Sequence, residues 1–313
     1  MDEQIFLVVN LSCFGDVLLT NSLCQNLKLV YPNSKVVFCV DKPFEEAAKY
    51  QKDVDDVIVF DKKGKDKGFI NLLKYAFNCK YRNKIDASFV IYGNSRGLIL
   101  SKLLGAKRIV AGSAKKTFLI NTPQPNYSGV PQKRSNELLS EVITGKKSLD
   151  LPIKYFVDND ENFKSEFYKE NAITICFEAN NETKDMPIDT AVEIIQKLNE
   201  DGKTIYFVGA GISASDYANQ LRMNDCNFID LSNKTTINDL AKVLKMTKGL
   251  ISIDTGVMHL ACALNVPVLS VFFNTSIMER WVPSKELYKT DVVFENVTAE
   301  NIVNKFYNLV KYE

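Results

Sequence analysis

The stretch IDTGVMHLACALNVP, residues 253–267, contains the only histidine of the chain, His259. An apolar run ends here in an Asp-Thr-Gly turn, and a helical pattern follows. Free N–H groups and a positive dipole at a helix N-terminus suit an anion, and Gly256 would let it come close, within reach of His259. The alternative is that Asp254 or Thr255 only caps the helix and that His259 is a core residue.

A second candidate is Asp16, in the stretch CFGDVLLT that follows a predicted first strand. At the carboxyl edge of a parallel sheet, this carboxylate would be placed to accept a proton from a substrate hydroxyl. The alternative is an aspartate at the start of a helix, where it interacts favourably with the helix dipole.

A third candidate is the stretch ANNETKDMP, residues 179–187, which lies between a predicted strand and a predicted helix. Asn180, Asn181, Thr183 and Lys184 supply hydrogen-bond donors there. One fixed cation beside a helix N-terminus suits a phosphate or diphosphate. An ordinary polar loop is the alternative.

The glycine-rich stretch VGAGISASD, residues 208–216, also follows a predicted strand. It contains Gly-x-Gly without the third glycine of a dinucleotide fingerprint, so that signal is weak. Gly209 and Gly211 allow either a tight turn or the close approach of a nucleoside.

The elements that must position these turns alternate between strand and helix along the whole chain. This order predicts an α/β fold with mostly parallel strands, and the turns of the second half then fall on one edge of one sheet. The predicted strands are 5–10, 35–40, 57–60, 87–92, 107–112, 172–178, 204–210, 228–231, 249–253 and 266–273. Helical patterns lie between them, and an amphipathic helix with Ile302, Phe306, Leu309 and Val310 on one stripe ends the chain.

Composition limits the class of protein. The chain has 313 residues, 46% of them hydrophobic and 25% charged, and a net charge of +1. This length suggests two domains, and the balanced charge indicates no nucleic-acid partner. The seven cysteines form no CxxC pair and are expected to be reduced. We also expect neither a signal peptide nor a membrane span.

The chain resembles the bacterial lipopolysaccharide heptosyltransferases, glycosyltransferase family 9. The resemblance rests on Gly-Asp after the first strand, Lys-x-x-Pro at 184–187, the glycine-rich turn, and Asp-Thr-Gly-x-x-His near the C-terminus. It implies a GT-B fold with two Rossmann-like domains facing a central cleft. The implied organisation is an acceptor-binding domain at 1–160, a nucleotide-sugar-binding domain at 161–296, and a C-terminal helix at 297–313.

The resemblance also implies roles for individual residues. Asp16 matches the proposed general base, and Lys184 matches the lysine that contacts the donor phosphates, with Thr183 beside it. Asp254 would bind hydroxyls of the donor sugar. The remaining donor-binding positions would be Thr255, Gly256 and His259 at the diphosphate, and Gly209 and Gly211 near the nucleoside.

Some positions depart from the family pattern and affect the nucleoside and the sugar. Asn10 stands where lysine or arginine is common, and Met186 where tryptophan is common. Ser213 stands where an acidic residue usually contacts the ribose, although Asp216 lies nearby.

The acceptor is expected to contact the N-terminal half. The stretch DKKGKDKG, residues 61–68, contains four lysines. A phosphate-bearing lipid acceptor would suit such a loop, so Lys62, Lys63, Lys65 and Arg96 are candidate acceptor residues. A solvated charged loop is the alternative.

The activity implied by the resemblance is inverting transfer of a sugar, typically heptose from ADP-heptose, onto a lipopolysaccharide core or a related surface glycan. The expected partners are a nucleotide-sugar donor and a lipid-linked or glycan acceptor. No metal or other cofactor is expected. The Asp-x-Asp triplets at 53–55 and 158–160 fit solvated acidic loops better than metal sites.

The expected location is cytoplasmic, with peripheral contact at the inner face of the inner membrane. Three alternatives stay open. They are transfer of another sugar to a capsule or glycoprotein, a nucleotide-sugar epimerase, and a non-catalytic nucleotide-sugar-binding protein.

Overall fold

The computed structural model describes residues 3–112, 117–123, 125, 127, 129–157, 169, 171–179 and 183–311, with the backbone alone at Ile277. The chain forms two compact units, Met1–Tyr155 (unit 1) and Phe156–Glu313 (unit 2). The sequence analysis placed this boundary after residue 160.

Unit 1 is a parallel sheet with helices between its strands. Within its described residues the sheet order is β3-β2-β1-β4-β5. The strands are β1 (Ile5–Asn10), β2 (Lys35–Asp41), β3 (Asp56–Phe60), β4 (Ala87–Val90) and β5 (Arg108–Ala111). The helices are α1 (Phe14–Leu19), α2 (Asn21–Val30), α3 (Glu45–Lys49), α4 (Phe69–Asn78), α5 (Ser95–Leu103) and α6 (Gln132–Thr144).

Unit 2 repeats this architecture. Its described strands are parallel and have the order β11-β10-β9-β6-β7-β8. The strands are β6 (Ala172–Cys176), β7 (Thr204–Phe207), β8 (Ile229–Asp230), β9 (Leu250–Ile253), β10 (Val268–Val271) and β11 (Thr290–Val293). The helices are α7 (Ile188–Glu200), α8 (Ile212–Met223), α9 (Ile237–Met246), α10 (Gly256–Ala263), α11 (Thr275–Trp281) and α12 (Ala299–Val310).

Each sheet has one point where the strand order reverses. In unit 1 it lies between β1 and β4, and in unit 2 between β6 and β9. Open α/β sheets bind ligands beyond the carboxyl ends of the strands at such a switch point. A ligand-binding site is therefore expected at the turns that follow these four strands.

Most strands are buried, namely β1, β2, β4, β5, β6, β7, β9 and β10, whereas the edge strands β3, β8 and β11 are partly exposed. β1, β2 and β6 read as nearly continuous apolar runs, as expected for such strands. The predicted stripe of the last helix is confirmed: Ile302 and Phe306 are fully buried in the core of unit 2, and Leu309 and Val310 pack against it.

The structure differs from the predicted elements in three places. The helix expected after β1 is interrupted at Thr20, whose hydroxyl donates to the carbonyl of Asp16 at 2.7 Å. Such back-bonding by threonine tends to bend a helix. α11 and β11 were not predicted, because both are short and lack a clear periodic pattern.

The segment after α6, expected to join two domains, is bound to α2 in unit 1. Asn26 exchanges two hydrogen bonds with the backbone of Leu149, at 2.8 and 3.0 Å. The backbone N–H of Lys154 donates to Asn21 Oδ1 at 2.9 Å. These amides are buried polar groups that satisfy backbone groups of the segment. Within the described residues, no helix is long and apolar enough to cross a membrane.

Candidate functional site

The turn after β1 places Asp16 in the first turn of α1, where it is 8% exposed. Ser12 Oγ donates to Asp16 Oδ2 at 2.8 Å, and the hydroxyl of Tyr92 donates to Oδ1. Each carboxylate oxygen therefore has a hydroxyl donor, so the orientation of the side chain is fixed. Because each carboxylate oxygen has a further lone pair, Asp16 can still accept one more hydrogen bond.

Tyr92 is a site residue that the sequence analysis missed. It was assigned to the end of a strand, but β4 ends at Val90 and Tyr92 lies in the turn beyond it. The turns after β1 and β4 flank the switch point of unit 1, which brings Tyr92 to Asp16 across 76 residues of sequence. The sequence offered only a tyrosine at the end of a predicted strand, and it did not show that this strand neighbours β1.

Asn10 supports the turn that carries Asp16. Its amide nitrogen donates to Thr20 Oγ1 at 2.9 Å, and its oxygen accepts from the backbone N–H of Ser12 at 3.0 Å. The side chain is 1% exposed. At position 10, where the resembled family commonly has lysine or arginine, this chain has a neutral, buried asparagine that holds the turn after β1 in place.

The candidate acceptor residues fall into two groups. Lys62 donates to the carbonyl of Leu11, in the turn before Asp16, at 2.6 Å and pairs with Asp41 at 3.1 Å. Its charge is therefore already balanced within unit 1. Lys63, Lys65 and Arg96 are exposed, and Arg96 lies in the first turn of α5.

In unit 2, two hydrogen bonds hold Met186, at the end of the turn after β6. The N–H of Met186 donates to the carbonyl of Phe177 at 3.0 Å, and Tyr217 Oη donates to the carbonyl of Met186 at 2.7 Å. Met186 is 1% exposed and belongs to the core of the unit. At this position the chain therefore has a packing residue, and Lys184 is the residue of the motif that reaches outward.

Lys184 contacts the turn after β9. Its Nζ lies 2.6 Å from Asp254 Oδ2, and the two side chains are 32% and 12% exposed. The pair joins the two turns that flank the switch point of unit 2, across 70 residues of sequence. The structure thus brings together two of the predicted donor-binding residues, one cationic and one anionic. Thr183, next to Lys184, lies in the same turn.

Helix α10 begins at Gly256, directly after Asp254 and Thr255. Thr255 is the N-cap residue, but its side chain makes no capping hydrogen bond. Its hydroxyl instead lies 3.0 Å from Ser252 Oγ and 3.7 Å from Cys176 Sγ. Burial raises the pKa of Cys176 to about 12, so this thiol is protonated at neutral pH. The N–H groups of the first helical turn are therefore not occupied by that side chain.

His259 lies in this short helix, which begins at Gly256. The histidine is 5% exposed.

The glycines of the turn after β7 have conformational roles. Gly211 has φ +102° and caps α8, a conformation that favours glycine. A Cβ at Gly209 would lie 2.8 Å from the Cβ of Ala214, so any side chain there would force a shift. Asn233 exchanges two hydrogen bonds with the backbone of Gly211, at 2.7 and 3.0 Å. Asn233 follows β8, and the sequence analysis did not identify it.

Glu178 is the second site residue of unit 2 that was missed. It lies just beyond β6, is 4% exposed, and accepts a hydrogen bond from Ser213 Oγ at 2.6 Å. Ser213 is the position where the family usually has an acidic residue. In this chain a carboxylate from a different strand meets it at the glycine-rich turn.

Of the two acidic triplets, the one at 53–55 lies among the described residues, and its Asp55 has partners within unit 1. Asp55 accepts from the backbone N–H of Val36 and pairs with Lys28, both at 2.6 Å. The triplet at 158–160 lies outside the described residues. Among the described residues, no cluster of three His, Cys, Asp or Glu side chains could hold a metal ion.

Comparison with known proteins agrees with this architecture. Two units, each a parallel sheet with helices between its strands, are the architecture of the GT-B fold. The model of the family described as glycosyltransferase family 9 (heptosyltransferase) matches residues 128–303, more than half of the chain. The chain therefore belongs to glycosyltransferase family 9, the heptosyltransferase family.

Solved structures show the same fold. A glycosyl transferase family 9 protein from Veillonella parvula DSM 2008 matches with a TM-score of 0.87 and 16% identity, over 100% of this chain and 99% of that chain. ADP-heptose lps heptosyltransferase II of E. coli matches with a TM-score of 0.80 and 16% identity, over 98% of each chain.

The E. coli heptosyltransferase WaaC with ADP matches with a TM-score of 0.79 and 18% identity, over 98% of this chain and 100% of that chain. At such identities the likeness concerns the fold. No curated protein sequence matches the chain significantly.

Proposed function

We propose that this glycosyltransferase moves a heptose from ADP-heptose onto a lipopolysaccharide core or a related surface glycan, with inversion at the anomeric carbon. Unit 2 holds the donor and unit 1 supplies the base. The observation that carries the proposal is the pair of switch-point turns in unit 2, where Lys184 and Asp254 meet at 2.6 Å. The family and the names of its solved relatives support heptose and ADP.

The reaction assigns one role to each group. The acceptor hydroxyl oxygen attacks C1 of the sugar and gives its proton to Asp16. The bond from C1 to the diphosphate breaks, and the electron pair leaves with the ADP. Lys184 and the N–H groups that open α10 stabilise the charge that develops on the diphosphate.

Asp16 suits the role of base because its carboxylate is fixed in place. Ser12 and Tyr92 donate to its two oxygens and act as positioning residues for it. A base that is held in one orientation does not lose conformational entropy when the acceptor hydroxyl binds.

Different residues of the donor site bind the sugar and the diphosphate. Asp254 binds hydroxyls of the sugar, and Thr183, Lys184, Thr255, Gly256 and His259 surround the diphosphate. Gly209 and Gly211 approach the nucleoside. When the donor binds, Lys184 exchanges part of its contact with Asp254 for the phosphates.

We further propose that transfer needs no metal ion, because Lys184 and the start of α10 supply the positive charge that a cation would provide. The acceptor is lipid-linked or a glycan, and Lys63, Lys65 and Arg96 contact its acidic groups. The protein then acts in the cytoplasm, at the inner face of the membrane.

His259 tests the diphosphate part of this site. We expect His259→Ala to weaken ADP binding by about 10- to 150-fold, the range for a lost hydrogen bond to a charged group, with little effect on adenosine. Calorimetric titration of both ligands on both proteins measures the difference. His259→Gln is the matched control and should retain part of the ADP affinity. Equal ADP affinity in a variant with a lowered melting temperature would make His259 a core residue.

The proposed donor and the absence of a metal requirement are tested together by thermal shift in EDTA. Ligand at 100 times its dissociation constant stabilises a protein by about 2.7 kcal/mol. We expect ADP-heptose to raise the melting temperature in EDTA more than UDP- or GDP-linked sugars do at equal concentration. Stabilisation that appears only when manganese or magnesium is added would contradict the metal-free site, and a stronger effect of another nucleotide sugar would contradict the donor.

A further inference from the structure

Helix α4 of unit 1 exposes large apolar side chains to solvent. Phe69 is 62% exposed, Ile70 69% and Phe77 56%, whereas Leu72 and Ala76 of the same helix are buried. Exposed single apolar residues are ordinary, but three on one short helix form a patch that indicates an interaction surface.

Exposed lysines adjoin this patch. In the loop before α4, both acidic side chains are used internally: Asp66 accepts from the backbone N–H of Asp61, and Asp61 accepts from another backbone N–H of the loop, each at 2.8 Å. Lys63, Lys65 and Lys67 are exposed. The loop therefore exposes lysine side chains to solvent, although its sequence contains both lysine and aspartate.

An open cleft of about 550 Å³ runs between α4 and the edge strand β3. The charged residues of its lining are three lysines and one aspartate, namely Lys65, Lys74, Lys80 and Asp66, and Lys80 pairs with Asp56 at 2.6 Å. A cleft with several ammonium groups beside an apolar patch suits a molecule with an anionic head and an apolar body.

We propose that this region docks the protein onto an anionic lipid surface. We call it the α4 surface, and it comprises Phe69, Ile70, Phe77, Lys63, Lys65, Lys67 and Lys74. Aromatic and aliphatic side chains of an interfacial helix insert at the boundary of headgroups and acyl chains, while lysines bind anionic headgroups. A second copy of the chain is a poorer occupant, because two lysine-rich surfaces repel each other.

This inference rests on the proposed function for its purpose, because a lipid-linked acceptor lies in a membrane. The exposure and the charge of the α4 surface do not depend on that function. Lipid binding and donor binding are therefore separate measurements, and the failure of one does not decide the other.

The test is co-sedimentation of the full chain with vesicles. We expect binding to vesicles of phosphatidylcholine with phosphatidylglycerol, weaker binding at high salt, and none to pure phosphatidylcholine. Phe69→Ser/Ile70→Ser/Phe77→Ser should reduce partitioning by about tenfold or more. Lys67→Glu/Lys74→Glu should reduce it by about 25-fold or more, at about fivefold for each lysine charge.

Matched controls separate the α4 surface from general effects. Met223→Ser removes an apolar side chain that is 82% exposed on α8, and Lys245→Glu reverses an exposed charge on α9; both should bind vesicles as the wild type does. The triple serine variant should keep its melting temperature, its affinity for ADP-heptose and its transfer to a water-soluble acceptor. Vesicle binding that both α4 variants retain would overturn the proposal. So would a wild-type dimer that dissociates in the triple variant, because the surface would then be an interface between copies.

Discussion

Asp16→Asn is expected to lower the turnover number for transfer by a factor of about 100 to 10,000, the range for loss of a general base. The affinity for ADP-heptose should not change, because Asp16 belongs to unit 1 and the proposed donor residues to unit 2. Asparagine keeps the size of the side chain, and the hydroxyls of Ser12 and Tyr92 can accept as well as donate. Steady-state kinetics with saturating acceptor, together with calorimetric titration of the donor, measure both quantities.

The control for Asp16 is an exposed acidic residue at the start of another helix. Glu45 is exposed and lies in the first turn of α3, so Glu45→Gln alters a helix dipole contact without touching the proposed base. If Asp16 were only a helix-start residue, Asp16→Asn would lower the melting temperature and leave turnover per folded molecule near that of the wild type. That outcome would remove Asp16 from the mechanism.

Lys184→Ala is expected to weaken ADP binding by about 10- to 150-fold, the range for a lost hydrogen bond to a charged group. Two causes combine. The variant loses a charged hydrogen bond to the diphosphate, and it leaves the carboxylate of Asp254 without the cation that lies 2.6 Å away. The unbalanced carboxylate then repels the ligand. Titration of ADP and adenosine separates this effect from nucleoside binding, and adenosine affinity should stay unchanged.

A double-mutant cycle tests the second cause. Lys184→Ala/Asp254→Asn should bind ADP several-fold more tightly than Lys184→Ala alone, because the repulsive charge has been removed. Asp254→Asn alone should bind ADP at least as well as the wild type but lose much of the preference for ADP-heptose over ADP. Lys245→Ala, on an exposed face of α9, is the control. Additive effects at 184 and 254 would contradict an electrostatic coupling between the two residues.

The fold could be predicted from local patterns because most of its strands are buried apolar runs separated by turns and helices. The parallel α/β architecture and the C-terminal helix follow from such patterns. The short elements α11 and β11 could not be found, because four to seven residues without periodicity carry little signal. The break at Thr20 depends on a hydroxyl that bonds the preceding turn of the helix.

The site was harder to predict because several of its contacts depend on the order of strands in the sheet. Asp16 and Lys184 could be proposed from turns that follow strands. Their partners could not: Tyr92 meets Asp16 across 76 residues, and Asp254 meets Lys184 across 70. These pairs form only because β1 neighbours β4 and β6 neighbours β9, which the sequence of the turns does not encode.

Two further features have the same origin. Ser213 was interpreted as the loss of an acidic group, but the carboxylate of Glu178 reaches it from another strand. Lys62 stays a predicted acceptor residue, and the structure adds that it pairs with Asp41 and with the backbone of the β1 turn. In both cases a contact between distant segments changes the chemistry that a single stretch suggests.

The most direct test of the central claim is the product of the reaction. The purified chain is incubated in EDTA with ADP-heptose and a heptose-free lipopolysaccharide core acceptor, and the acceptor is analysed by mass spectrometry and NMR. We predict that its mass rises by one heptosyl residue, that one ADP is released for each heptose transferred, and that the new linkage has the anomeric configuration opposite to that of the donor. Release of ADP without a modified acceptor, or a linkage with retained configuration, would contradict the account.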